Sequence, residues 1–222
     1  MIKMKIACIT YRDWANNIYK KLFYKYEGIH EFFHVSSKEK FDKEKLICFK
    51  PDLILWYGWS WIVDEYFTEN FNSIMLHPSP LPKYRGGSPI QNQIINGEKE
   101  SAVSLFKMNK FLDEGDIYFQ KEFSLEGKLD DIFFRITDIG FTGSCKIIDN
   151  EYSITKQDHS KATYFKRRKP EDSEITLDEI KTKPAEYIQN KIRMLNDPYP
   201  NAYIKTFDNK KLYITDCKLS ED

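Results

Sequence analysis

His77 leaves a strongly apolar run, Ile74 to Leu76, and enters a loop stiffened by Pro78, Pro80 and Pro82. An imidazole held that way can act as a general acid or base, because its proton exchanges near neutral pH. His30, His34 and His159 lack such a setting and read as surface or hydrogen-bonded core residues. A second chemistry-bearing stretch is Leu112-Asp113-Glu114-Gly115-Asp116, in which any of three carboxylates could partner the imidazole. The third is Tyr57-Gly58-Trp59-Ser60-Trp61, which closes another apolar run, Leu53 to Tyr57. Open α/β sheets bind ligands outside the carboxyl ends of their strands, so these three segments are expected to converge on one sheet edge.

The elements that must position them are visible as hydrophobic patterning. Strands are predicted over 4–10, 31–35, 53–57, 74–76, 102–108 and 117–124, with helices over 13–26, 42–49, 62–70 and 88–96. Asn96-Gly97 suits a left-handed helix end. The plainest helix is 129–147, where Leu129, Ile132, Phe133, Ile136, Ile139 and Gly140 share one face. Strands alternating with helices predict an open, mostly parallel Rossmann-like α/β sheet covered on both faces. The polar, basic composition of 151–175 reads as a linker, so the expected division is a catalytic domain over 1–175 and a small C-terminal unit over 176–222. That unit reads as a helix near 184–195 and a hairpin of 202–207 and 211–217 around Asp208-Asn209-Lys210.

Composition excludes several classes. The 222 residues carry 34 Lys plus Arg against 34 Asp plus Glu, without the basic excess of a nucleic-acid-binding surface. Hydrophobic residues at 41% and aromatics at 15% suit a globular chain. No apolar stretch approaches the ~20 residues that span a bilayer, and MIKMKIACIT reads as a strand rather than a signal peptide. Cys8, Cys48, Cys145 and Cys217 lack CxxC spacing and read as reduced, buried thiols of a cytoplasmic protein, with no metal expected. The turn after the first strand, Tyr11-Arg12-Asp13-Trp14, has no GxGxxG, which argues against a dinucleotide-dependent dehydrogenase.

The stretch HPSPLPKYRGGSPIQNQIINGE, followed by LDEGDIYF and later by YFKRRKPEDS, resembles the folate-dependent formyltransferases over roughly residues 4–205. His77 and Asp113 stand 113 − 77 = 36 residues apart, the separation of that family's catalytic pair. The resemblance implies N10-formyltetrahydrofolate as cofactor and formyl donor, His77 and Asp113 as catalytic residues, and a folate loop of Tyr57, Gly58, Trp59, Trp61 and Ile62. Formyl transfer is acyl transfer: an amine attacks the formyl carbon, and a donor must meet the oxyanion that develops. Glu114 and Asp116 fit that chemistry but not the family spacing. One departure stands out. The family's Asn, two residues before the His, is Met75 here, which cannot donate a hydrogen bond. Asn92, on the predicted inner face of the next helix, is the candidate substitute.

The resemblance leaves the acceptor open among three relatives. The additional C-terminal domain of the methionyl-tRNA enzymes is not seen in these 222 residues, and the charge balance argues against tRNA. The glycinamide ribonucleotide enzymes follow HPSxLP with a Pro-Gly pair, whereas this chain has Tyr84-Arg85-Gly86-Gly87-Ser88-Pro89. The expected acceptor is therefore the amine of a nucleotide-linked amino sugar from surface-polysaccharide or nonulosonate synthesis. Glycinamide ribonucleotide formyltransferase, or a non-catalytic member that lost the Asn, is the alternative. Ser79, Lys83, Arg85, Gly86, Gly87, Arg167 and Arg168 are the expected substrate contacts, the arginines and the lysine for a diphosphate. The aromatics after Asp197 could stack a pyrimidine, and the hairpin's open edge predicts a homodimer.

Overall fold

A computed structural model describes residues 2–196 and 199–220. Asp197 lies outside the described residues. The central sheet has six strands: β1 (Lys5–Thr10), β2 (Glu31–Val35), β3 (Leu53–Tyr57), β4 (Ser73–His77), β6 (Glu100–Lys107) and β7 (Ile117–Ser124), in the order β2-β1-β3-β4-β6-β7. The ladders β2–β1, β1–β3 and β3–β4 are parallel, while β4–β6 and β6–β7 are antiparallel. The result is an α/β sheet, mostly parallel, with an antiparallel edge.

Side-chain alternation splits the strands between two cores. In β1, Ile6 and Cys8 join one buried cluster, while Ala7 and Ile9 join the other. The first core lies under α1 (Asp13–Tyr26) and α5 (Leu129–Ile148), whose Ile132, Ile136 and Ile139 stripe is buried as its periodicity predicts. The second takes Leu46 of α2 (Lys43–Phe49) and Phe67 of α3 (Glu65–Asn70). That helix starts at 65, not 62: the Asp64 carboxylate accepts from the Tyr66 N–H and caps it, leaving 58–63 as loop.

Two further differences matter for the site. The expected linker folds back as a strap, with Thr155 bridging to Ile117 and β8 (Tyr164–Phe165) pairing with β5 (Arg85–Gly86). Apolar patterning misses it because main-chain bridges and polar side chains such as Gln157, rather than a repeating apolar face, hold it. The C-terminal part contains α6 (Leu177–Thr182), α7 (Ala185–Arg193) and an antiparallel hairpin of β9 (Ala202–Lys205) and β10 (Lys211–Ile214). Ile192, Met194 and Ala202 pack into the same cluster as the sheet. All four cysteines are free, but Cys48 and Cys217 are exposed rather than buried. Among the described residues no helix is long and apolar enough to cross a membrane.

Candidate active site

His77 is the last residue of β4, and its ring is 7% exposed. Its Nε2 lies 2.8 Å from the Tyr84 carbonyl oxygen. A carbonyl only accepts, so Nε2 is the donor here and Nδ1 is the ring nitrogen left for other partners. That Nδ1 faces Oδ2 of Asp113 across 3.7 Å, and the Asp113 side chain is equally buried at 7%. Two groups 36 residues apart in the chain therefore meet at the carboxyl end of β4. The separation exceeds a hydrogen bond. The imidazole is consequently oriented by the Tyr84 carbonyl rather than by Asp113.

Asp113 is fixed from elsewhere. Its Oδ2 accepts the Gly86 N–H at 2.7 Å, and its own carbonyl accepts Gln157 Nε2 at 2.9 Å. The same Gln157 nitrogen donates to the Gly115 carbonyl, and its Oε1 accepts from Nε and a terminal nitrogen of Arg85 at 3.1 and 2.7 Å. Arg85 is wholly buried and also meets Tyr164 at 2.6 Å and Glu114 at 3.1 Å. This clamp holds a strained backbone. Tyr84, Ser88 and Asp113 all have positive φ, +59°, +51° and +54°, each costing about 1–3 kcal/mol outside glycine. Nothing in the sequence marks Gln157, which stands alone in a polar stretch.

The expected substrate contacts divide. Arg85 is corrected: its guanidinium is spent on Gln157, Glu114 and Tyr164, so it cannot meet a diphosphate. Ser79 is corrected too, being buried, with its hydroxyl donating to the Lys83 carbonyl. Arg168 turns to its own segment, donating to the Asp172 carbonyl. Gly86 and Gly87 do serve close backbone approach, but the approaching chain is the strap: added Cβ atoms would strike the Phe165 carbonyl and the Arg167 backbone. Lys83 and Arg167 stay exposed. Asn92 is 6% exposed, and its Nδ2 donates to the Gly87 carbonyl at 2.9 Å, which leaves one amide hydrogen uncommitted.

The expected folate loop follows β3. Tyr57 is corrected in part: its side chain is a core residue, hydroxyl on Ser144 at 2.6 Å and phenol pushed well up by burial, so only its main chain remains for a ligand. Gly58 has φ +61°, and an added Cβ would press on Trp14 at 3.0 Å. Trp59 and Trp61 meet edge-on at 4.9 Å, Tyr11 meets Trp61 at 4.8 Å, and Ile62 is fully exposed. No hydrogen bond among the described residues engages the main chain of 59–62. Unpaired peptide groups beside half-exposed indoles fit a flat heteroaromatic with donors and acceptors on its edge, as a pterin is. Met75 shares the His77 face of β4 and, like Trp59, packs against the second core, so that position supplies apolar surface and no donor.

An α/β sheet with a buried imidazole and carboxylate at its carboxyl edge defines the class. The Formyl transferase family model matches residues 6–131, and the chain belongs to that family. It is 30% identical over 185 residues to the methionyl-tRNA formyltransferase of Ehrlichia canis, covering 81% of this chain and 58% of that one. The chain thus spans somewhat over half the length of that curated relative. Among solved structures, a methionyl-tRNA formyltransferase from Clostridium thermocellum superposes with a TM-score of 0.83 at 32% identity, covering 95% of this chain and 97% of the other. A 4-N formyltransferase from Francisella tularensis gives 0.79 at 18% identity, with 99% of each chain covered, a likeness of fold.

Proposed function

We propose that this protein transfers a formyl group from N10-formyltetrahydrofolate to the primary amine of a nucleotide-linked amino sugar. The observation that carries the chemistry is the His77 Nδ1–Asp113 Oδ2 pair, buried together at the sheet edge. Bound N10-formyltetrahydrofolate supplies an electrophilic formyl carbon. The 59–62 main chain and the Trp59–Trp61 surface would hold it against the strand ends. With the donor bound, the amine nitrogen would bond to the formyl carbon and the bond from that carbon to N10 would break. His77 Nδ1 would take the amine's proton and pass it to the departing N10, its positive charge meanwhile favouring the oxyanion and being stabilised by Asp113. The free hydrogen of Asn92 is the second donor of this proposal, replacing what Met75 cannot give.

The balanced charge of the chain supports a small acceptor over a polyanion. A second reading, methionyl-tRNA as acceptor, is favoured by the 32% identity to the Clostridium enzyme. The proposal carries with it a cytoplasmic setting, with which the free thiols agree, and a homodimer paired through the hairpin, where Leu212 and Tyr213 are exposed. Light scattering that finds only monomer at micromolar concentration would reject the dimer.

The test measures release of tetrahydrofolate with UDP-, dTDP-, GDP- and CMP-linked amino sugars, glycinamide ribonucleotide and methionyl-tRNA offered in parallel. Turnover is expected with one amino sugar, falling by ~10²–10⁴-fold in His77→Ala and Asp113→Asn. Turnover with methionyl-tRNA or glycinamide ribonucleotide alone would sink the sugar reading. Undiminished turnover in either variant would sink the site.

A further inference from the structure

The loop that carries His77 cannot satisfy its own main chain. Pro78, Pro80 and Pro82 remove three N–H donors from 77–84, while every carbonyl there still needs a partner. The loop's remaining donors serve part of the set: the Ser79 N–H to the His77 carbonyl, the Lys83 N–H to that of Pro80, and the Ser79 hydroxyl to that of Lys83. The Tyr84 carbonyl takes the His77 ring itself at 2.8 Å. Outside donors complete the rest. Gln93 Nε2 donates to the Pro78 carbonyl at 2.9 Å, Ser104 Oγ to that of Ser79 at 2.6 Å, and Gln120 Nε2 to that of Leu81 at 3.1 Å. The Thr163 N–H of the strap donates to the Pro82 carbonyl at 3.3 Å.

Gln93 differs from the other outside donors in what else it holds. It stands in α4 (Pro89–Ile95), next to Asn92, and is wholly buried. Its Nε2 also donates to the Pro89 carbonyl at 3.0 Å, and its Oε1 accepts the Ser101 hydroxyl of β6 at 2.7 Å. One amide thus joins the residue after His77, the first turn of the helix that carries Asn92, and the second strand along. Ser101 and Ser104 lie three residues apart in β6, so their side chains leave opposite faces of the sheet. The His77 loop is therefore gripped from both faces, by Ser104 directly and by Ser101 through Gln93. Both Gln93 amide hydrogens are engaged within the protein, which leaves none for a ligand.

We propose that Gln93 is a positioning residue for the transfer, setting His77 against Asn92 by fixing the Pro78 and Pro89 carbonyls with the two hydrogens of one amide. It touches no reacting atom and acts through the His77 loop. This rests on the reading of His77 as the proton carrier given above. A methionine of similar length fills the space but donates nothing, so the Pro78 carbonyl loses its donor. That carbonyl can regain a partner only by turning its peptide, and the peptide begins one residue after His77.

The experiment compares wild type with Gln93→Met, Ser101→Ala and Lys191→Met. Ser101→Ala leaves Gln93 in place but unanchored, and decides the matter where Gln93→Met does not fold. Lys191 is a buried donor to the Glu174 carbonyl and the Glu179 carboxylate, so Lys191→Met lowers stability without touching the His77 loop. The first readout is the ring N–H of His77 by NMR on protein carrying isotope-labelled histidine, identified by its loss in His77→Asn. It needs no acceptor. Its exchange with solvent is expected to quicken roughly tenfold in Gln93→Met and about threefold in Ser101→Ala, and to change less than about twofold in Lys191→Met. The second readout is turnover with the acceptor panel above. There kcat is expected to fall by roughly 10–100-fold in Gln93→Met, with the KM for N10-formyltetrahydrofolate within about twofold of wild type.

Wild-type ring exchange in Gln93→Met overturns the proposal, as does a wild-type kcat or a change confined to KM. Equal losses in Gln93→Met and Lys191→Met overturn it too, because the effect would then be one of stability alone. If no acceptor on the panel is formylated, the exchange rate decides by itself. Should His77→Asn keep full turnover, the reading of the site falls, and ring exchange still shows whether Gln93 holds the imidazole.

Discussion

Strands β3 and β4 lie side by side, yet the loops that leave them are held in opposite ways. After β4 nearly every polar group is engaged: Gln93 donates to the Pro78 carbonyl, Ser104 to that of Ser79, Gln120 to that of Leu81, and Gly86 to Asp113. After β3 no hydrogen bond among the described residues engages the main chain of 59–62, and ring contacts, with the Lys38 ammonium over Trp61, shape it. The first loop is pre-organised, with two left-handed non-glycine residues, Tyr84 and Ser88, each bonded to the strap that pairs with it. The second is left for a ligand to complete. The contrast suits a transferase, since reacting groups must be rigid before the substrate arrives, whereas a cofactor cradle can be finished by what it binds.

The comparison can be broken most sharply at Asn92. Asn92→Ala removes an anchor of the Gly87 turn and the proposed second donor, and turnover is expected to fall by ~10²–10³-fold with little change in folate affinity. A Kd effect without a kcat effect would place Asn92 with the binding surface. Next comes Gln157→Leu, which strips the Asp113 and Gly115 carbonyls and Arg85 of their shared partner. Turnover should drop by roughly 10–100-fold with KM nearly constant, and stability by about 1–3 kcal/mol, read by denaturant titration. Should Gln157→Leu match wild type in kcat, pre-organisation of Asp113 by the clamp is wrong.

Trp59→Ala sharpens the other side. Fluorescence titration with tetrahydrofolate should show about tenfold weaker binding, with kcat at saturation within about twofold. Unchanged affinity would remove Trp59 from the cradle. The smallest effect lies outside both loops, at His34, where burial first, then Lys40 and Lys20, lower the imidazole pKa to about 4. The unfolded ring takes up its proton first as pH falls, so His34 favours the fold fully above the ordinary histidine pKa of ~6.5 and less at each step down toward 4. With the ring half-buried, His34→Asn should flatten that part of the stability profile by on the order of 1 kcal/mol.

Much of the architecture was legible from periodicity. The α5 stripe, the all-apolar β3 and the Gly97 helix end all follow from residue type and spacing, because those encode which face is buried and where the chain must turn. The Asp64 cap was missed, since a cap and an ordinary helical residue look alike until the backbone direction is known. At the site, the family-like motifs located His77, Asp113 and the Trp59–Trp61 loop. They did not reveal that the Tyr84 carbonyl, not Asp113, sets the imidazole.

By itself the sequence determined which residues are the candidates for the chemistry and which strands deliver them. The tertiary structure alone decided how each polar group is used. Gln157 lies 44 residues from Asp113 and 72 from Arg85. No pattern along the chain could show that one arginine would be buried against it while Arg167 stayed exposed. Apolar burial repeats with the helix or strand period and can be read locally. Hydrogen-bond partners across such distances exist only once the packing has brought them together.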